Sequence, residues 1–173
     1  MTRGRVRLVP LDGATLRELA TAPEGWAARA GVSIGMYADV LRSVAEQTTA
    51  HHGGSEPPLP WAGYVAIDTA DERVIGTCAF KSPPGEDRAV EIAYFTFPGD
   101  EGRGYGGMMA AALIAIAEAD DAVAVVRAHT LPEANASGSI LTRLGFTNLG
   151  TVIDPDDGPV WRWERPARPQ ETR

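Results

Sequence analysis

One cysteine in 173 residues excludes an intramolecular disulfide and a cysteine-built metal centre, so Cys78 stands alone and no metal is expected. No apolar run approaches the roughly 18 residues of a membrane span. Met1-Thr2-Arg3-Gly4-Arg5 runs into a strand-like segment rather than an apolar signal region, so the expected location is cytoplasmic, away from membranes. Basic residues are the minority, with 16 Lys+Arg against 23 Asp+Glu and a net charge of −7, which argues against a nucleic-acid partner. Internal repeats, long linkers and breaks in composition are also missing. What remains is a chain that is 44% hydrophobic and 23% charged, the balance of one globular domain. A domain of this size buries roughly 70% of the surface its unfolded chain exposes, enough for one core and a modest pocket. The expected extent is residues 1–166, with a polar, proline-bearing and disordered tail over 167–173.

Arg5 to Pro10 alternates charged and apolar side chains as an edge strand does, and Asp12 is placed to cap a helix through Ala20. The spacing of Ile34, Tyr37, Val40, Leu41 and Val44 predicts an amphipathic helix from Val32 to about Ala50, ended by His51-His52-Gly53-Gly54. After a proline-rich loop, Ala62–Asp68, Arg73–Lys81 and Arg88–Phe97 read as antiparallel strands on short connections. Glycines 102, 104, 106 and 107 open an alanine-rich helix to about Ala119, and an apolar strand over 123–128 follows. Strand, helix, strand is a crossover unit, so the strands at 88–97 and 123–128 should be parallel. A helix over 132–144 and a final hairpin, 146–153 with 160–164, complete a mixed α/β chain.

Gly102-Arg103-Gly104-Tyr105-Gly106-Gly107 is a Gly-x-Gly-x-x-Gly run. Glycines there let the backbone turn sharply and bring exposed N–H groups and a helix N-terminus against an anion. A dinucleotide and a nucleotide-pantetheine thioester both carry such an anion. The dinucleotide reading requires the first glycine directly after a strand, an acid at the end of the next strand and further crossover units. Here Pro98-Gly99-Asp100-Glu101 intervenes, the next strand ends Arg127-Ala128-His129-Thr130, and only about 45 residues remain. A nicotinamide or flavin dehydrogenase is therefore disfavoured.

The stretch Val90-Glu91-Ile92-Ala93-Tyr94-Phe95-Thr96-Phe97-Pro98, then Glu101 to Gly106, then Asn135-Ala136-Ser137 leading to Leu144-Gly145-Phe146, closely resembles the GNAT superfamily of acetyl-CoA-dependent N-acetyltransferases. The resemblance covers about a third of the chain and leans toward the branch that acetylates ribosomal-protein N-termini. It implies an acyl-CoA N-acyltransferase-like α/β fold: a mixed, mostly antiparallel sheet of about six or seven strands, about four flanking helices and one βαβ crossover. It further implies acetyl-CoA as cosubstrate. The family's phosphate loop, Gln/Arg-x-x-Gly-x-Gly/Ala, falls on Glu101, Gly104 and Gly106, and Glu101 departs from it. Anchoring then rests on backbone N–H groups across Gly102, Arg103, Gly104, Tyr105, Gly106, Gly107 and Met108, on the helix dipole, and on an electrostatic contact from Arg103. By the same resemblance the backbone of Phe95, Thr96 and Phe97 pairs with the pantetheine arm as an added strand, and Asn135 and Ser137 meet its thiol end.

Acetyl transfer to an amine needs a neutral nitrogen beside the thioester carbonyl, donors for the oxyanion and a fate for the thiolate. Alternation places Glu91, Ala93, Phe95 and Phe97 on one strand face, where apolar neighbours would make a carboxylate a better base. The resemblance supports Glu91 as base, since several branches carry a Glu at the matching position; a solvent-facing or ion-paired strand glutamate is the competing reading. A backbone N–H near 95–97 is the expected oxyanion donor. Where many relatives carry a tyrosine four residues before the Gly-Phe pair, this chain has Leu141, so the phenolic acid is missing and Ser137 is the nearest motif-placed hydroxyl. His51, His52 and His129 read as solvated or structural, and Asp154, Asp156 and Asp157 as turn residues.

By the resemblance the acceptor lies between residues 24–61 and 153–161. Tyr37, Trp61 and Trp161 are the candidate walls, suited to an amine on a small molecule or a peptide N-terminus. A catalytically degenerate acetyl-CoA sensor or scaffold is the non-enzymatic alternative, and the C-terminal hairpin is compatible with a homodimer.

Overall fold

The computed structural model describes residues 5–168. Its seven strands are β1 (Val6–Pro10), β2 (Gly63–Asp68), β3 (Arg73–Phe80), β4 (Ala89–Thr96), β5 (Val125–Thr130), β6 (Thr147–Asp154) and β7 (Gly158–Pro166). They form one sheet in the order β1-β2-β3-β4-β5-β7-β6. Every neighbouring pair is antiparallel except β4 and β5, joined through the crossover helix as the sequence predicts.

Five helices flank the sheet rather than about four: α1 (Gly13–Thr21), α2 (Pro23–Ala30), α3 (Ala38–His51), α4 (Tyr105–Glu118) and α5 (Ala136–Arg143). The Asp12 side chain caps α1 by accepting from the Thr15 N–H at 2.8 Å. Helix α2 has no counterpart in the sequence reading. Pro23 stands in its first turn and Gly31 ends it in the left-handed conformation, yet its apolar contribution to the core is only Trp26 and Ala27 beside Pro23. Helix α3 begins at Ala38 rather than Val32. Gly35 turns with φ 53°, and Ser33 donates its N–H to the Glu72 carbonyl and accepts from the Val74 N–H, which ties 32–37 to the start of β3 and holds them out of the helix.

The two faces of the sheet carry separate cores. Val90 and Ile92 of β4 pack with Met109, Leu113 and Ala117 of α4 and with Leu141 of α5. On the opposite face Phe97, Val65 and Ile67 pack with Leu16 and Leu19 of α1, Trp26 of α2 and Leu41 of α3. Asp68, fully buried, is tied to Arg5 at 2.9 Å and accepts from the Tyr105 hydroxyl, which pins the start of α4 to the sheet. Burial pushes the Asp68 carboxyl up, but Arg5, Tyr105 and the Ala70 N–H together bring it down from 3.8 to about 2. Of the expected tail, Ala167 is buried and donates its N–H to Ala124, and the Arg168 side chain reaches the Glu118 carbonyl; residues 169–173 lie outside the described residues. No helix among the described residues is long and apolar enough to cross a membrane.

Candidate active site

Strand β4 organises the site because its two edges and two faces each do something different. It pairs with β3 from Ile92 to Thr96 but with β5 only from Ala89 to Glu91, so beyond Glu91 the edge toward β5 is open. Lys81 donates its N–H to the Glu91 carbonyl and Phe97 donates to Ile75, which fixes the odd-numbered residues as those bonded to β3. By strand alternation the backbone groups of Tyr94 and Thr96 face the open edge. This corrects the expected strand pairing: Thr96 is placed for it, whereas Phe95 and Phe97 direct their backbone groups to β3, and Tyr94 takes the role instead.

The open edge leads into a cleft of ≈ 710 Å³ bounded by β4, the glycine loop and α5. Gly102 and Gly104 adopt φ of 74° and 83°, left-handed values that let the loop curl under the helix start. No side chain caps α4 and no acid stands in its first turn, so the Tyr105, Gly106 and Gly107 N–H groups point outward with the positive end of the dipole. A Cβ on Gly106 would meet Ile140 at 3.1 Å and Thr96 and Tyr94 at 3.6 Å, so a side chain there would crowd the space between the helix start, β4 and α5. The Tyr105 side chain is buried beneath, leaving its backbone to line the cleft. Asp100, a carboxylate facing the same cleft, is offset by Arg73 at 2.6 Å and more loosely by Arg103 at 3.8 Å, so the Arg103 contact is made inside the loop. Glu101, Ser137 and Arg143 are also among the lining residues. Arg143, in the last turn of α5, is a cation that motif reading passed over. Asn135 caps α5, its side chain accepting from the Gly138 N–H at 2.9 Å.

The deeper end of the cleft holds a tyrosine. The Tyr94 hydroxyl is buried with no well-formed hydrogen bond among the described residues, although Ser137 is near enough to affect it. Burial pushes that phenol up and Ser137 partly offsets the effect. Leu141 is fully buried in the core behind it.

On the other face of β4 a narrow cavity of ≈ 170 Å³ is lined by Val44 and Thr48 of α3 and by Ala93 and Phe95. It continues past Thr48 and Ala79 into a space of ≈ 320 Å³ bounded by His51, His52 and Lys81. Tyr94 and Phe95 border both the large cleft and the narrow cavity, so the two approach each other through β4. Glu91 lies on the Ala93 and Phe95 face, but the apolar setting expected of it is corrected: it is ion-paired, as the competing reading has it. Lys81 reaches its Oε1 at 2.6 Å and His129 Nδ1 lies 3.0 Å from the same oxygen. Of the expected acceptor walls, Tyr37 lies against Phe97 with ring centroids 4.2 Å apart and donates to the Pro98 carbonyl. Trp61 is buried edge-on against Phe80, away from the cavity lining, and Trp161 is half-buried on β7 opposite Thr130.

A family model described as the acetyltransferase (GNAT) domain matches residues 5–147, which is most of the chain. The chain belongs to the GNAT family and is an acyltransferase. Among solved structures, a spermidine N-acetyltransferase from Vibrio cholerae in complex with CoA and spermine is 14% identical, with a TM-score of 0.61 over 94% of this chain and 96% of that one. The RimL ribosomal L7/L12 α-N-protein acetyltransferase in complex with coenzyme A is 14% identical, with a TM-score of 0.62 over 96% of both chains. A ribosomal-protein-S5-alanine acetyltransferase from Vibrio fischeri is 15% identical, with a TM-score of 0.61 over 95% of this chain and 94% of that one. At these identities the likeness is one of fold. No curated protein matches the sequence.

Proposed function

We propose that the protein transfers an acetyl group from acetyl-CoA to a primary amine, on a small molecule or a peptide N-terminus, by direct attack in a ternary complex with Glu91 as base. The observation that carries this is the approach of two cavities through Tyr94 and Phe95, one ending on a glycine cradle and the other bordered by Ala93 and Phe95, which share a strand face with Glu91 although Glu91 itself lines neither. CoA fits the large cleft: the α4 N–H groups and Arg143 suit its phosphates, and the open edge at Tyr94 and Thr96 suits its pantetheine amides. When bound, acetyl-CoA supplies an activated acyl carbon at the meeting point of the cavities.

The protein's own groups then divide the work. Glu91 takes the proton of the acceptor nitrogen, directly or through water, so that the amine is neutral as it attacks. The Tyr94 N–H on the open edge donates to the thioester carbonyl oxygen as negative charge builds there, which leaves the Tyr94 carbonyl and the Thr96 backbone groups for the pantetheine arm. Ser137 hydrogen-bonds the departing sulfur. Because a thiol ionises near 8.5, the sulfur leaves without the phenol that Leu141 replaces. The narrow apolar passage admits a slender amine arm in extended form, with Tyr37 closing one end of β4.

The test is a panel of amines with acetyl-CoA, reading free thiol, beside thermal unfolding with CoA and NAD. A ligand at about 100 times its Kd stabilises by about 2.7 kcal/mol, roughly 5 to 10 °C for a chain of this size. Amine-dependent thiol release and a shift with CoA but not NAD support the reading. An unmoved midpoint with CoA contradicts it.

A further inference from the structure

The charged residues around Glu91 come from three strands or their ends, and pairing register brings them together. On β5, Arg127 stands opposite Glu91 and His129 follows two residues later on the same face. On β7, Arg162 stands opposite His129. Lys81, the chain's single lysine, arrives from the end of β3. The contacts form a chain: Arg162 Nε to His129 Nε2 at 3.3 Å, then His129 Nδ1 to Glu91 Oε1 at 3.0 Å, with Lys81 Nζ on that oxygen at 2.6 Å.

This order of atoms fixes a proton. A guanidinium only donates, so the nitrogen facing Arg162 must accept, and the single proton of a neutral imidazole then sits on Nδ1. Nδ1–H donates to Glu91. Two donors on Oε1 lock the carboxylate in rotation and leave Oε2 with no partner among the described residues. The side chain of His129 is 12% exposed and that of Glu91 18%, so neither bond is readily replaced by water.

We infer that His129, held as the Nδ1–H tautomer by Arg162, is a positioning residue that together with Lys81 aims the free Oε2 of Glu91 at the acceptor nitrogen. The role of Glu91 rests on the acetyl-transfer reading; the tautomer does not. Lys81 contributes charge balance as well as aim, while His129 contributes direction, because a neutral ring adds no net charge to the site.

Two readouts test this. The first is ¹⁵N NMR of the imidazole nitrogens in the wild-type protein, with the His129 signals assigned by their loss in His129→Asn. A protonated Nδ1 with an unprotonated Nε2 is expected, moving toward the Nε2–H form in Arg162→Met. An Nε2–H tautomer in the wild type overturns the inference. The second is turnover with whichever amine the panel identifies. His129→Leu, which cannot donate, should lower kcat about 10- to 100-fold with the KM for acetyl-CoA unchanged. His129→Asn, whose amide N–H sits near the Nδ1 position, should recover most of that loss. Equal kcat in the wild type, Leu and Asn proteins overturns the inference. A wild-type protein that acetylates no amine counts against the acetyl-transfer reading, while the tautomer measurement still judges the hydrogen-bond chain, so the two failures are told apart. If the Leu protein does not fold, the NMR result and the Asn protein decide.

Discussion

Gly106→Ala separates a glycine needed for binding from one needed for packing. The position is helical, so the backbone accepts alanine, and in this first turn of α4 the exchange favours folding by less than the roughly 1 kcal/mol of a helix interior. Against this, the new methyl carbon meets the tip of Ile140 at 3.1 Å, a flexible end that yields by a few tenths of an ångström. The two effects offset, and the melting midpoint should stay within about 4 °C of the parent. Binding should respond differently, because the methyl group enters the cleft among Thr96, Tyr94 and Ile140, where all three line the space over the α4 N–H groups. Lifting a phosphate off one such donor removes a charge-assisted hydrogen bond of about 1.5 to 3 kcal/mol. CoA affinity should therefore fall about 10- to 150-fold by isothermal titration. A Kd within twofold of the parent would refute the cradle and leave Gly106 as a contact between helices.

Two further predictions concern stability and reactivity. The folded Asp68 carboxyl, at about 2 against its ordinary 3.8, binds its proton less readily than in the unfolded chain. Its stabilisation is complete above about pH 5 and is lost as pH falls toward 2. Tyr105→Phe removes one of its donors and should cost about 1 to 3 kcal/mol in urea unfolding at pH 7, with a smaller difference at pH 2; an equal loss at both would contradict the account. Burial pushes the Cys78 thiol up to about 12, so the native protein should not react with an aromatic disulfide reagent, whereas the denatured chain should react once; rapid native labelling would show that β3 is not closed.

The glycine loop, the crossover and the alternation of β4 were legible because each depends on neighbours in sequence. Glycines at 102 and 104 announce left-handed turns, and Glu91, Ala93 and Phe95 do share a face. Helix α2 shows no periodicity in the sequence because, beside Pro23, only Trp26 and Ala27 of its eight residues turn to the core, although Pro23 and Gly31 mark its ends. The setting of Glu91 was hidden for a different reason. Lys81 and His129 reach it, and Arg162 reaches His129, only through the registers of β3, β5 and β7, which no local pattern encodes. By the resemblance Trp61 belongs to the acceptor wall, but its ring lies against Phe80 in the core. Which edge groups of β4 are open also depended on where β5 parts from it, and that exchanged Phe95 and Phe97 for Tyr94.

The central claim is that Glu91 performs proton transfer in a site whose CoA cradle is built elsewhere, and Glu91→Gln tests it most directly. The substitution keeps shape and an acceptor oxygen but removes the base. Turnover should fall about 10²- to 10⁴-fold, while the rise in melting midpoint with CoA stays that of the parent, because the α4 cradle and the open edge of β4 are untouched. Turnover equal to the parent's, with the CoA shift intact, would contradict the assignment of the base and with it the account of how the two cavities work together.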